Sequence, residues 1–378
     1  MQRVRVRLRA RAAEYEILIG EGMLAALGQE ARRRLPQSAR RVALVSNEKV
    51  FGLYGREAER SLREAELAPQ TWLMGEGERF KSLRTLERAL EFLSEEGLER
   101  SDGVVALGGG VVGDLAGFAA AVYLRGIPFL QVPTTLLSQI DSSVGGKTGV
   151  NLGAGKNLVG AFHQPRAVLI DTRTLQSLPR RELTAGWCEA VKQGAAGSRH
   201  LFDQTYAFLQ RQAESQPDDS LAKLIAAQCA FKAGIVSDDE REELARTDAR
   251  SRKILNLGHT TAHALETVTR YRRFRHGEAV GYGLLVAGEL SVRLGLLAAS
   301  ELELLRAAVR ACGRLPRADD LDRAVIRRTL AHDKKRVGGH LKWILLERLG
   351  RATIVDEREI APRLLSASLR AALGKTVS

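Results

Sequence analysis

Three of the chain's seven histidines, His259, His263 and His276, fall in one short stretch. In Asn256-Leu-Gly-His259-Thr-Thr-Ala-His263 the two imidazoles stand four residues apart and share one face of a helix. Glu189 supplies a carboxylate to complete a candidate metal set. One carboxylate with imidazoles suits Zn²⁺ and leaves a position open to substrate or water. Glu266 and Glu278, close to these histidines in sequence, are candidates to orient them as acceptors. A plain hydrogen-bonded helix is the competing reading, and the pattern alone leaves both open.

A second concentration of chemistry lies at 131–157, a stretch rich in Gly, Ser, Thr and Lys with one Asp. Such a segment inside a compact chain is either disordered or functional. Val132, Leu136, Leu137, Ile140, Val144, Val150 and Leu152 are too many apolar anchors for a solvated linker. Gly145, Gly146, Gly149, Gly153 and Gly155 allow backbone N–H groups to turn toward a ligand, and Lys147 and Lys156 add positive charge. The stretch reads as a phosphate-handling surface, with a Gly-rich connecting loop as the alternative.

Upstream, Gly108-Gly-Gly-Val-Val-Gly-Asp114 follows an apolar strand and opens a helix, whose free N–H groups suit a pyrophosphate. Its contiguous glycines differ from G-x-G-x-x-G. A tight turn with Asp114 as the helix cap competes with this reading. Glu189 and Lys192 stand three apart, either as a surface ion pair or, among small and apolar neighbours, as a buried pair facing a site. Lys232, Arg252 and Asp333-Lys334-Lys335 add cations for which a solvated charge is the default.

The elements that must position these groups follow a clear order. Val4–Leu8 and Tyr15–Ile19 read as a β-hairpin. Strands are expected at 41–46, 70–74, 103–107, 129–133 and 167–171, with helices at 23–35, 54–66, 83–96 and 115–123 between them. Buried apolar strands alternating with amphipathic helices predict a parallel sheet covered on both faces, which binds ligands beyond its strands' carboxyl ends. Leu178-Pro-Arg-Arg-Glu182 marks the expected boundary between residues 1–179 and 180–378. Beyond it the spacing is helical over 182–198, 207–215, 221–235, 254–270, 279–294, 300–311 and 319–332. A small hairpin at 343–346 and 352–355 and a last helix at 361–373 complete the chain. The expected class is α/β, an N-terminal Rossmann-like parallel-sheet domain followed by a mostly α-helical metal-binding domain.

Composition sets further bounds. A chain of 378 residues suggests two domains, and 44% hydrophobic residues suffice for their cores. The net charge of +13 admits nucleic acid, anionic membrane or phosphorylated metabolites as partners. No aromatic-studded basic stripe accompanies it, so neither nucleic acid nor membrane is expected as a partner. No apolar run reaches membrane-spanning length, and the start alternates charge with Val, unlike a signal peptide. Three scattered cysteines, Cys188, Cys229 and Cys312, point to a reducing cytoplasm.

Taken together, these stretches resemble the 3-dehydroquinate synthases. The matching runs are Gly108–Asp114, Arg125, Gln131-Val-Pro-Thr-Thr135, Asp141-Ser-Ser-Val-Gly-Gly-Lys147, Gly155-Lys-Asn157, Glu189-Ala-Val-Lys192 and Lys232–Ser237. They continue through Asn256-Leu-Gly-His259, His263, His276-Gly-Glu278 and Asp333-Lys-Lys335. The resemblance implies an NAD- and divalent-metal-dependent (Zn or Co) lyase of the shikimate pathway, in aromatic amino acid biosynthesis, usually a homodimer. Such an enzyme converts 3-deoxy-arabino-heptulosonate 7-phosphate to 3-dehydroquinate and phosphate, with NAD reduced only transiently.

The roles it implies are specific. Glu189, His259 and His276 bind the metal. Asp141, Lys147, Lys192, Lys232 and His263 are catalytic, the last beside the substrate phosphate. Arg125, Asn157, Arg252, Asn256 and one of Lys334 or Lys335 bind substrate, Arg125 reaching a phosphate across the dimer interface. NAD is lined by Glu76, Gly77, Glu78, Arg79, Phe80 and Lys81. It is further lined by Gly110, Val111, Val112, Gly113, Asp114, Thr134, Thr135, Lys147, Lys156, Thr174, Leu175, Gln176 and Ser177. The family's short Asp-Glu-Arg-Glu connection is longer here, at Asp239–Arg252. Counting back from Asn256 selects Arg252 for the substrate role, and counting forward from Lys232 selects Arg246. Ala262 replaces the usual Gly, and Gly186-Trp-Cys-Glu189 is bulkier than the usual Gly-Leu-Ala-Glu. The rival readings are an inosose or valiolone synthase, a metal-dependent polyol dehydrogenase and, on charge alone, a nucleic-acid-binding protein.

Overall fold

The computed structural model describes residues 14–212, 220–331, 336–337 and 340–374. Strands β1 (Glu16–Gly20), β2 (Arg41–Asn47), β3 (Ala68–Met74), β4 (Gly103–Gly108), β5 (Phe129–Pro133) and β8 (Ala167–Asp171) form one sheet. Its order is β1-β8-β5-β4-β2-β3, with every pairing parallel. The strand alternation divides the core. Val42 and Leu44 pack with helices α1 (Leu27–Arg34) and α3 (Arg56–Glu64), whereas Ala43 and Val45 face α4 (Leu83–Glu95) and α5 (Gly110–Val122). The short α2 (Glu48–Val50) runs into α3 through a π segment, so this helix starts earlier than its periodicity suggests.

After the sheet come α6 (Arg180–Gly197), α7 (Arg199–Gln212), α8 (Ser220–Asp238), α9 (His259–Val268), α10 (His276–Arg293), α11 (Ala299–Ala311) and α12 (Arg323–Ala331). Strands β9 (Arg336–Val337), β10 (His340–Arg348) and β11 (Arg351–Asp356) precede the last helix, α13 (Pro362–Ala372). The helical core is continuous with the sheet, because Val168 and Ile170 of β8 and Leu136 and Ile140 after β5 pack into it. α8 is apolar and long enough to cross a membrane, yet Leu224, Ile225 and Cys229 lie in this core.

Several expectations need correction. The expected strand at 4–8 lies outside the described residues, and its partner run pairs in parallel with β8 at the sheet edge. The glycine cluster does not precede its helix: Gly109 is the cap and Gly110–Asp114 form the first turns of α5. Asp114 therefore caps nothing, and its carboxylate pairs with Lys81. Inside the Gly-rich stretch the chain builds a π turn at Ser138–Ser142 and an antiparallel hairpin, β6 (Lys147–Leu152) and β7 (Gly155–Phe162). The expected helix over 254–270 is split, because Gly258 sits in the left-handed region (φ 78°) just before α9.

Asp171 ties the last strand to the start of the fold. Its buried carboxylate accepts from the N–H groups of Gly22 (3.1 Å), Leu24 (3.2 Å) and Arg173 (3.0 Å), and from the Arg173 guanidinium (2.8 Å). Burial raises its pKa, but the Arg173 side chain and these backbone donors outweigh burial and leave it lowered. Such a group stabilises the fold above its unfolded pKa, and the contribution disappears as pH falls through the folded value. Asp171→Asn is therefore expected to lose about 1–3 kcal/mol at neutral pH. Urea unfolding should also show a shallower loss of stability toward acid than in the parent chain. Equal acid sensitivity in both proteins would contradict this account.

Candidate active site at the carboxyl ends of the strands

The site grows from three helices. Glu189 lies mid-way along α6 with its side chain fully buried, and His259 and His276 are the first residues of α9 and α10. The close approach of α9 to α10 depends on Gly258 and Gly283, since a Cβ on Gly283 would sit 2.0 Å from the Gly258 carbonyl oxygen. The His259 and His276 Nε2 atoms are 3.3 Å apart. Glu189 Oε1 lies 3.5 Å from His276 Nε2 and 4.0 Å from His259 Nε2.

Two nitrogens bound at ~2.05 Å to a tetrahedral zinc stand roughly 3.3 Å apart, so the spacing fits a metal. The chemistry of the donors fits as well. Glu189 Oε1 is buried without a hydrogen-bond partner, and Leu257 O lies 3.3 Å from His259 Nδ1, which leaves Nε2 for an ion.

Glu266 supports this group from behind. Its Oε1 lies 3.5 Å from His276 Nδ1 and 2.9 Å from Lys156 Nζ. Burial raises its pKa, but His276 and Lys156 outweigh burial and hold it at about 2. Glu278 does not share this role. It turns away from the imidazoles and accepts from Arg181 and the Arg275 N–H. His263 stands beside the trio, its ring centroid 5.6 Å from that of His259 and 6.2 Å from that of His276.

A buried ionic chain joins the trio to the sheet. Lys192 Nζ lies 2.6 Å from Glu189 Oε2 and 3.4 Å from Asp141 Oδ2. Lys232 of α8 pairs with the other Asp141 oxygen and donates to its carbonyl at 2.6 Å. Burial works to raise the Asp141 pKa, but the two ammonium groups outweigh it and hold the carboxyl well below its usual range. The lysines shift in opposite directions. Burial lowers both, yet Lys192 touches two carboxylates and is raised, whereas Lys232 has one and stays lowered.

Other expected residues gather around this chain. Lys147 pairs with Glu242, whose Oε1 accepts from Asn256 Nδ2 at 3.2 Å. Asn157 accepts from Lys81 at 2.5 Å, and Lys81 also holds Asp114. Arg252 is buried and donates to the carbonyls of Glu240 (2.6 Å) and Gly145 (3.0 Å). Arg246 lies outside, paired with Asp248. The structure thus brings Arg252, not Arg246, to the site. Arg125 is apart from the cluster, on an exposed turn where Leu124 and Arg125 both have positive φ. Lys334 and Lys335 lie outside the described residues.

The expected dinucleotide residues line the strand ends. Gly110–Asp114 open α5, and Thr134 and Thr135 follow β5, where Thr135 and Ser138 exchange hydrogen bonds. Glu76–Lys81 follows β3, with Gly77 at φ 92°, and Glu78 accepts from Asn151 at 2.7 Å. Thr174–Ser177 form a 3-10 turn after β8, tied to Tyr54. Val112 and Leu175 point their side chains into cores, so only their backbone can face a ligand. Glu242 is the residue that sequence reasoning missed. The available signal was its place in Asp239-Glu-Arg-Glu, which reads as an exposed charge run until folding puts it against Lys147.

The chain is similar to known proteins over most of its length. A family model described as 3-dehydroquinate synthase N-terminal matches residues 71–185, and one described as 3-dehydroquinate synthase C-terminal matches residues 186–336. A 3-dehydroquinate synthase of Halorhodospira halophila is 45% identical, covering 94% of this chain and 96% of its own. A solved 2-epi-5-epi-valiolone synthase from Streptomyces hygroscopicus subsp. jinggangensis, with NAD+ and Zn2+ bound, has a TM-score of 0.85 at 26% identity. That match covers 97% of this chain and 99% of the other. A 2-deoxy-scyllo-inosose synthase complexed with carbaglucose-6-phosphate, NAD+ and Co2+ has a TM-score of 0.80 at 27% identity, covering 94% and 96% of the two chains. Since the two family models together span residues 71–336 and a relative at 45% identity extends over nearly the whole chain, the protein belongs to the 3-dehydroquinate synthase family.

Proposed function

We propose that the protein converts 3-deoxy-arabino-heptulosonate 7-phosphate to 3-dehydroquinate and phosphate, with NAD reduced and restored within one turnover. The observation that carries the reading is Lys192, which bridges the Glu189 of the metal trio to Asp141 and hence to Lys232. A metal-ligand set and an acid–base relay thereby share one wall. Glu189, His259 and His276 would hold the divalent ion, and the strand-end segments from Glu76 to Ser177 would seat NAD. When bound, the ion polarises a substrate oxygen and the nicotinamide takes and returns a hydride.

The chain's own residues do the rest. Lys192, Lys232 and Asp141 hold the substrate hydroxyls and pass protons, with Lys232 matched to proton transfer by its lowered pKa. A ketone at C5 acidifies the C6 proton, and loss of that proton releases phosphate. His263, one turn along α9 from His259, would meet that phosphate. Lys147, Asn157, Arg252 and Asn256 would bind the remaining anionic and polar groups, and Glu242 would set the position of Lys147 and Asn256. Beyond what a dinucleotide requires, this cationic lining has no use in a polyol dehydrogenase, whose substrate carries no phosphate.

The same reading divides the chain at Pro179, between the end of β8 and the start of α6, into an NAD-binding and a metal-binding half. It also places two copies together through the turn bearing Arg125. Val122, Leu124, Leu158 and Phe162 are exposed apolar side chains in that region, which supports a homodimer. The three buried free cysteines support a reducing, cytoplasmic setting.

Protein supplied with NAD⁺ and a divalent metal should release phosphate from the heptulosonate phosphate while absorbance at the NADH band stays flat. Steady NADH build-up would instead identify a dehydrogenase, and preference for another sugar phosphate a sister cyclase. His276→Ala should lose both bound metal and turnover while melting like the metal-free parent chain. A parental rate in that variant removes His276 from the metal set.

A further inference from the structure

We propose that Arg181 is a positioning residue for the metal site, acting through Glu278 to set the spacing between Glu189 and His276. The inference rests on the metal reading above and adds a residue outside the ligand set. Residues 181, 185 and 189 are four apart and share one face of α6, each about 6 Å further along the axis. They face residues 278, 277 and 276 at the start of α10, so the two helices meet in three rungs.

The first rung is ionic. Arg181 Nε donates to Glu278 Oε1 at 2.8 Å and its Nη2 donates to Oε2 at 2.6 Å, a two-point fork on a fully buried carboxylate. Glu278 Oε2 also accepts the Arg275 N–H at 2.7 Å, and Arg181 Nη2 donates to the Arg273 carbonyl at 2.9 Å. A crossed pair, Arg275 to Glu182 at 2.8 Å, ties the same two segments. The second rung is backbone contact: a Cβ on Gly277 would lie 1.9 Å from the Ala185 carbonyl oxygen. The third rung is the ligand pair, with Glu189 Oε1 at 3.5 Å from His276 Nε2.

The body of α10 is held by its packing on α9, α11 and α13, and rung two closes its start against α6. The planar guanidinium fork adds direction as well as distance at the first turn. Without it, that turn keeps only the Gly277–Ala185 contact and the Arg275–Glu182 pair on α6, and the His276 imidazole is less firmly set relative to Glu189. Groups outside the ligand set that orient ligands typically change metal affinity by about 10- to 100-fold when removed.

The test measures zinc affinity by competition with a chromogenic chelator. Melting of the metal-free protein and NAD⁺ affinity are followed in parallel. Arg181→Met, which keeps the aliphatic stem, should weaken zinc binding by about 10- to 100-fold and leave NAD⁺ affinity unchanged. Arg181→Lys, which keeps the charge without the fork, should fall between the two. Parental zinc affinity in Arg181→Met overturns the proposal, as does a parallel loss of NAD⁺ affinity, which would signal general loosening. Should Arg181→Met fail to fold, Glu278→Gln keeps the side-chain size and an acceptor for the Arg275 N–H, and carries the same comparison. A parental chain that takes up no zinc would sink the metal reading along with this one. Uptake by the parent and equally by the variant sinks only the role of Arg181.

Discussion

A charge withdrawn from water costs several kcal/mol unless opposite charges and hydrogen bonds replace its hydration. Lys232, Asp141, Lys192 and Glu189 meet that constraint only as a group, each neutralising its neighbour in a chain of alternating sign. The members come from the turn after β5, from α6 and from α8, so the charge balance requires these elements to be docked. Lys192 touches two carboxylates and Lys232 one, which is why burial is outweighed at Lys192 and leaves the Lys232 pKa lowered. At Glu189 the chain meets the imidazoles of His259 and His276, so the proposed acid–base and metal-binding groups form one structure.

The hairpin β6–β7 adds a second junction of the same kind. Lys147 on one strand and Lys156 on the other reach carboxylates of the helical half, Glu242 and Glu266. An anionic ligand bound by either lysine would have to displace a protein carboxylate as well as water, which would link its affinity to the placement of the hairpin. Glu266 also faces His276, which would connect that exchange to the proposed metal ligands.

Two of the seven described non-glycine residues with positive φ lie in the same places. Asn157 (φ 53°) and Glu242 (φ 55°) occupy the left-handed region without being glycine. Each is held by several partners: Asn157 by Asn151 and Lys81, Glu242 by Lys147 and Asn256. The surrounding contacts keep these side chains aimed at the site against the local preference of the chain.

By itself the sequence determined the parallel strands and the helical second half, which rest on local periodicity. It marked Glu189 and the clustered His259, His263 and His276 as candidate metal ligands, and only the family resemblance chose among them. It also held the pattern behind the family assignment, since the motifs recur in fixed order. It did not determine which way Glu278 turns, that Asp114 holds Lys81 instead of capping α5, or that Arg252 comes to the site and Arg246 does not. Nor did it single out Glu242 from a run of charged neighbours. Those outcomes depend on partners far away in the chain: 97 residues separate Arg181 from Glu278, and 95 separate Lys147 from Glu242. A charged side chain takes the nearest opposite charge in space, and only the docking of helices and hairpin decides which one that is.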